Sequence, residues 1–237
     1  MIRVGCAGYP IGRDRYWRSL SFVETDTGKG LPRLETLGQW RADIPVGGEA
    51  ALQALRSITH GPDDRGFPAS ARKFPKNRQA LCGAFRESLE VHEAWMATKA
   101  AAEALGAKIV VFETPASFQP GSDRLRDMYR FFKGISRGKL SIVWHPRGGE
   151  WSSLEDKVSA ELGLIRAFDP LRQRPPAKGA FLYMRPLIAR MGVLGVDNMA
   201  TISSAAADIP AYIAFSHRAS FRDAERFKDL MGSKRTR

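Results

Sequence analysis

Eight short apolar runs recur along this chain, separated by segments with helical patterning, and that alternation constrains the fold more than any other feature. The runs are Ile2–Ala7, Ser21–Thr25, Glu49–Leu55, Lys108–Thr114, Leu140–His145, Gly163–Phe168, Ala180–Arg185 and Ala211–Ser216. Those around 110, 142, 182 and 213 are continuously apolar, as parallel strands covered on both faces require. The third is ambiguous, because Glu49-Ala-Ala-Leu-Gln-Ala-Leu55 suits a helix equally well. Helices are expected at Leu34–Asp43, at the long Ala-rich stretch Arg78–Leu105 closed by Gly106, and at Asp123–Ile135 behind an N-cap at Ser122. Two more follow the capping-box patterns Ser152-Ser-Leu-Glu155 and Ser220-Phe-Arg-Asp223, the first ending near Leu162 and the second covering Arg222–Met231.

Strands alternating with helices imply a mainly parallel sheet with right-handed crossovers. Eight such strands within 237 residues predict an α/β fold, a TIM-type (β/α)8 barrel; an open doubly wound sheet is the alternative. Ile11–Leu20 has room for only a short helix, and Pro170–Lys178 for a turn at best. One or two outer helices are therefore expected to be shortened or missing. The expected organisation is one barrel domain over residues 1–232 and a basic, disordered tail over 233–237.

Composition removes several classes. Apolar content of 43% and charged content of 26% are those of an ordinary globular chain, so disorder is not expected. No run approaches the roughly 20 apolar residues of a membrane helix. Met1-Ile-Arg-Val enters a strand at once, leaving no room for a signal peptide, so the expectation is a cytoplasmic protein with no membrane partner. Cys6 and Cys82 are the only cysteines, which predicts two reduced thiols and excludes a cysteine-based zinc site. The net charge of +12, from 37 Lys and Arg against 25 Asp and Glu, favours anionic partners: a small molecule, nucleic acid or an acidic protein. The basic residues are spread along the chain, so a solvated surface accounts for them as well. A nucleic acid would use the clusters Arg13–Arg18 and Arg72–Arg78.

Six runs stop on reactive groups: Glu24 with Asp26, Glu113, His145, Asp169, Arg185 and His217. The C-terminal ends of strands are where a β/α barrel builds its site. Glu24 and Asp26, two apart on a strand, would face the same way as a carboxylate pair; alternatively Asp26 caps a helix or pairs with an arginine. Glu113 follows three buried apolar residues and needs a partner or a function, with Arg185 a candidate partner. His145 suits general acid–base work near neutral pH. Its turn, Pro146-Arg147-Gly148-Gly149, offers backbone N–H groups beside a guanidinium as an anion nest. His60 follows the third strand, and His92 on the long helix is expected at the surface. The catalytic candidates are thus Glu24, Glu113 and His145; the ligand-binding candidates are Arg185, Tyr9, Asp26, Arg147 and His217. Histidines and carboxylates at strand ends admit a divalent metal as cofactor, but no His-x-His or His-x-x-x-His spacing supports one, and no residue is assigned to it. Dinucleotide and Walker loops are absent. The long Gly61–Asn77 segment is expected as a loop on the ligand-binding face.

The assembled segments resemble the YecE-like family, the domain-of-unknown-function family 72. Ile2-Arg-Val-Gly-Cys-Ala-Gly8-Tyr9 resembles its first strand and turn, and Phe22-Val-Glu24 its second strand. Val110–Phe118 is similar to its Phe-Gln-Leu-Pro-Pro-Ser-Phe segment, His145-Pro146 with Trp151 to its fifth-strand His-Pro and Trp, and Phe181–Arg185 to its Tyr-Leu-Arg strand. Phe215–Phe227 resembles its closing strand and helix. The resemblance covers most of the chain, with gaps around 45–75 and 186–205. It implies a TIM-type barrel and no established activity. Departures are as informative. Thr27-Gly-Lys-Gly30 stands where the family has a polar residue and an aromatic pair, Glu113 where it has Gln, Ile142 and Trp144 where it has acidic and Arg positions, and Ser216-His217 where it has Asn-Asn. Glu24 and Arg185 carry over best. The expectation is a barrel that binds a phosphate- or carboxylate-bearing ligand at its C-terminal face, as a hydrolase, as an isomerase, or as a degenerate partner subunit.

Overall fold

All eight runs become strands, since each is short, rich in residues that fill a pleated buried surface, and bounded by turns. The computed structural model of the chain describes residues 1–28, 30–148, 151, 154–176, 179–188, 192–206 and 209–234, with residues 233 and 234 described by backbone only. Strands β1 (Ile2–Ala7), β2 (Phe22–Thr25), β3 (Glu49–Gln53), β4 (Ile109–Thr114), β5 (Ser141–Pro146), β6 (Ile165–Phe168), β7 (Leu182–Met184) and β8 (Ala211–Phe215) follow one another in that order and close into a parallel barrel. Closure rests on β1 lying beside β8, from Ile2 opposite Ala211 to Cys6 opposite Phe215. The open doubly wound alternative is thereby excluded.

The helices are α1 (Arg13–Ser19), α2 (Leu34–Asp43), α3 (Lys76–Gln79), α4 (Leu89–Leu105), α5 (Ser122–Gly134), α6 (Glu155–Glu161), α7 (Val196–Ala205) and α8 (Ser220–Lys234). As expected, α1 is short, and among the described residues no helix separates β6 from β7. The Ser152–Glu155 capping box involves Ser152 and Ser153, which lie outside the described residues, as do Lys29, Gly149 and the end of the tail, 235–237. The N-cap of α5 is Gly121, one residue before Ser122, and no side chain caps that helix. Among the described residues no helix is long and apolar enough to cross a membrane.

The chain divides into two compact units. One comprises Met1–Thr25, Ala42–Ala50 and Ile165–Arg237, the other Asp26–Arg41 and Ala51–Leu164. In the first, the buried Tyr16 hydroxyl donates to Phe22 O at 2.5 Å and accepts the Cys6 N–H at 2.7 Å, so one side chain bridges β1 and β2. Near the strand starts, Glu49 accepts from Tyr212 at 2.6 Å and pairs with Arg3 at 2.9 Å.

In the second unit the expected helix Arg78–Leu105 is broken. Gly83, Ala84 and Phe85 adopt successive left-handed φ values of 85°, 53° and 56°. Their N–H groups donate to Ser57 O, Thr59 O and Ile58 O at 2.7, 3.1 and 2.9 Å, and the Phe85 ring packs among Phe112, Phe118, Phe131 and Phe132. These tertiary bonds and ring contacts outweigh helix propensity. The helix restarts at Leu89, where the Ser88 hydroxyl accepts the Val91 N–H, and stops at Gly106, whose φ of 69° makes the expected C-terminal cap. Cys82 is buried in the intervening turn, so it does not begin a helix.

Candidate functional site

Glu113 and His145 stand opposite each other where β4 pairs with β5. All six residues of β4 are buried, so the Glu113 carboxylate emerges from an apolar layer and has to be met by charge. Arg147 Nη1 donates to its Oε1 at 3.3 Å, Arg56 Nη2 stands 3.8 Å from the same oxygen, and His145 Nδ1 lies 3.4 Å from Oε2. The Arg147 side chain is half exposed, whereas those of His145 and Arg56 are 18% and 23% exposed. Arg56 begins a single 3-10 turn, Arg56–Ile58, just beyond β3, and also stands 3.8 Å from Asp26 Oδ1. His60 follows that turn. Burial, with Arg56 adding to it, lowers its pKa, so the ring is neutral at pH 7, and its Nδ1 is 2.8 Å from Thr59 Oγ1. Beyond β4 and β5 the Phe118 and Trp151 rings stack 5.5 Å apart, and the Trp151 indole N–H donates to Phe118 O at 2.6 Å.

The first unit holds a second cluster. Glu24 is fully buried, with Oε2 accepting the Tyr183 hydroxyl at 2.7 Å and Oε1 paired with Arg185 Nη2 at 3.2 Å. Arg185 lies one residue beyond the end of β7, and the Glu24 carboxylate is what Tyr183 and Arg185 share. Burial, reinforced by the Glu24 charge, raises the Tyr183 pKa well above its ordinary value, so this hydroxyl remains a donor. Tyr9 packs edge-on to Tyr16 and Trp17 at 5.1 and 6.1 Å between centroids, and burial pushes its hydroxyl pKa up to about 12.

Two expectations require correction. β2 ends at Thr25, so strand alternation does not extend to Asp26. Instead Asp26 Oδ1 accepts the Gly28 N–H at 2.8 Å and faces Arg56 from a half-exposed position. His217, expected to bind ligand, has no exposed side-chain surface: its Nε2 is 2.9 Å from Asp223 Oδ2, within α8, and its Nδ1 is buried without a hydrogen-bond partner. Asp223, expected in a capping box with Ser220, also accepts the Leu194 N–H at 2.8 Å and Arg226 Nη1 at 3.1 Å. A ring enclosed in this way reaches no ligand.

With the geometry in place, comparison with known proteins is informative. No family model matches the sequence, and no curated protein matches it. Solved structures do. A DUF72 family protein of Enterococcus faecalis is 12% identical over 98% of each chain with a TM-score of 0.72. One of Thermotoga maritima is 14% identical over 98% of this chain and 99% of that one, with a TM-score of 0.65. The fold is that of the DUF72 barrels. A xylose isomerase domain containing protein of Salmonella typhimurium shares it at 13% identity, covering 99% of this chain and 98% of its own, with a TM-score of 0.57.

Within this DUF72-type barrel, no group of three or more His, Cys, Asp or Glu among the described residues is placed to hold a metal ion. Several members of the two basic clusters have partners within the chain, though most of these residues stay at the surface. Arg13 pairs with Asp43, Arg18 with Asp14 and Arg78 with Glu90, while Arg72 lies over the Phe67 ring. His92 is exposed, as expected. Sequence reasoning passed over Arg56 and Tyr183. Arg56 also ends an apolar run, but the helical alternative for Glu49–Leu55 obscured it. Tyr183 lies inside the run that ends on Arg185, where its hydroxyl meets the same Glu24 carboxylate.

Proposed function

We propose that this chain is a divergent member of the DUF72 family that binds a small anionic molecule, phosphate- or carboxylate-bearing, at the ends of β4 and β5. There Glu113 acts as general base, His145 as its acid–base partner and Arg147 as the anion clamp. The observation that carries this reading is the paired carboxylate and imidazole, 3.4 Å apart, beside a half-exposed guanidinium. A buried carboxylate needs charged partners, which Arg147 and Arg56 supply, and an imidazole is the side chain suited to passing a proton beside it. Arg147 is exposed enough to exchange its Glu113 contact for a ligand oxygen. The carboxylate partners of Arg13, Arg18 and Arg78 lower the net positive charge that the two basic clusters offer a nucleic acid, which favours a small molecule.

The test is turnover. The full chain is incubated with a panel of sugar phosphates and sugar acids, and isomerisation or hydrolysis is followed by NMR. Glu113→Gln and His145→Ala are each expected to lower the rate by roughly 100-fold or more, and Arg147→Ala to raise KM more than it lowers kcat. Equal turnover in wild type and both variants, or no turnover with either class, overturns the reading.

A further inference from the structure

Arg56 is a partly buried guanidinium held by two long ion pairs and, among the described residues, by no side-chain hydrogen bond. Its two carboxylate neighbours, Asp26 Oδ1 and Glu113 Oε1, both stand at 3.8 Å, beyond hydrogen-bonding distance. Its Nε is buried with no hydrogen-bond partner. A structural arginine of this kind would ordinarily close on one carboxylate through two parallel N–H···O bonds; this one is held between two and closes on neither.

Two glycines stand beside the Nη1 end of the guanidinium. A Cβ at Gly28 would come within 3.3 Å of Arg56 Nη1, and one at Gly66 within 3.2 Å of the same atom. Gly66 has a φ of 102°, which by itself calls for glycine. Gly28 has no left-handed φ, so its backbone does not demand glycine; the missing methyl there spares the Asp26 carboxylate, at 3.2 and 3.4 Å, together with Nη1. With no side chain at either glycine, the flank of Nη1 is a slot between two stretches of backbone.

We infer that Arg56 is the recognition residue for a planar carboxylate group of the ligand, bound edge-on to the guanidinium between Gly28 and Gly66. This rests on the anion-binding reading of the Glu113 site and refines it in two respects. The anchor is Arg56, with Arg147 secondary, and the anion is a carboxylate. Charge decides between the two anion classes. Asp26 and Glu113 already face this guanidinium, so a phosphate dianion would meet two like charges, whereas a carboxylate brings one negative charge and the planar shape that matches the fork. His60, whose Nε2 would lie 3.7 Å from a Cβ at Gly66, borders the same slot as a neutral ring and adds no repulsion.

The full chain is titrated with acetate, glycolate and gluconate, with methyl gluconate as the neutral control and inorganic phosphate as the competing anion class. Binding is read by calorimetry and by arginine Nε–H NMR signals, and folding by thermal melting. The carboxylates are expected to shift one Nε–H signal that is missing from Arg56→Lys, and to bind more tightly than phosphate. Arg56→Lys keeps the charge but removes the fork, and should weaken gluconate binding roughly ten- to a hundredfold with melting unchanged. Gly28→Ala should weaken it as well. Wild-type affinity in both variants, or phosphate binding tighter than every carboxylate, overturns the assignment. Loss of binding in Arg147→Ala but not in Arg56→Lys likewise overturns it, while leaving the acid–base reading intact. Loss in Arg56→Lys together with unaltered turnover in Glu113→Gln and His145→Ala supports the fork and removes the acid–base reading.

Discussion

At Gly5 one absent methyl decides whether β1 and β2 can pair. A Cβ there would lie 1.8 Å from Phe22 O, 2.5 Å from Phe22 C and 2.9 Å from the Tyr16 hydroxyl. Two of those atoms are backbone of the neighbouring strand, in register with Gly5 itself, and cannot step aside without breaking the ladder. The third is the hydroxyl that bridges the strands. Gly5→Ala is therefore expected to cost about 3 kcal/mol or to prevent folding, read as a lowered urea midpoint. Gly12→Ala is the control, because nothing lies within 4 Å of its added Cβ. A Gly5→Ala midpoint equal to that of wild type would refute the steric argument. Reading along the chain, Gly5 was legible only as a small residue in a strand, because its constraint comes from the Phe22 backbone of the neighbouring strand and from Tyr16 folding back. The candidate site divides the same way. Glu24, Glu113, His145 and Arg185 announce themselves by ending apolar runs. Which arginine meets which carboxylate is set by registers that no local pattern encodes.

At the scale of the element, α8 is fastened by Asp223, four residues into the helix. The buried carboxylate gathers the Leu194 N–H, His217 and Arg226, tying α8 to the end of β8 and to the segment ahead of α7. Burial alone would raise its pKa, but those three partners outweigh burial and hold it below the ordinary 3.8. A pKa depressed on folding contributes stability above the unfolded-state value, and that contribution is lost as the pH falls through the folded-state value. Asp223→Asn should thus destabilise the protein by roughly 3 kcal/mol at pH 7. The gap to wild type in chemical denaturation should narrow below about pH 4; a gap that stays constant down to pH 2 would refute the linkage. Ser220-Phe-Arg-Asp223 reads as a capping box because its spacing is right. Spacing does not reveal that a histidine and a distant amide compete for the same carboxylate. The break after α3 has the same origin: the run from Arg78 to Leu105 is compatible with helix throughout, and the hydrogen bonds that stop it come from Ser57, Ile58 and Thr59.

For the whole molecule, the decisive pairing joins the two ends of the chain. β1 binds β8 across more than 200 residues, Ile2 opposite Ala211, and only that contact leaves no strand with an open edge. The number and order of strands were legible because each run is short, apolar and separated by a helix or a proline-rich turn. Buried alternation is what the fold needs, and it survives at the 12% and 14% identities separating this chain from the DUF72 structures. Closure itself was legible only as the count of eight. Its consequence is strict. A chain ending at Pro210 keeps β1 through β7 but exposes the edges of β1 and β7, and it loses the buried Ile213, Ala214 and Phe215 of β8 with the Ala224 and Phe227 that α8 packs beneath them. Such a fragment is expected to show no cooperative thermal transition, to bind a hydrophobic dye and to sediment as aggregate, since unpaired parallel edges template association. A chain ending at Lys234 should melt like the full protein. If the chain ending at Pro210 melted cooperatively at the full-length midpoint, the β1–β8 seam would not be what holds the barrel together.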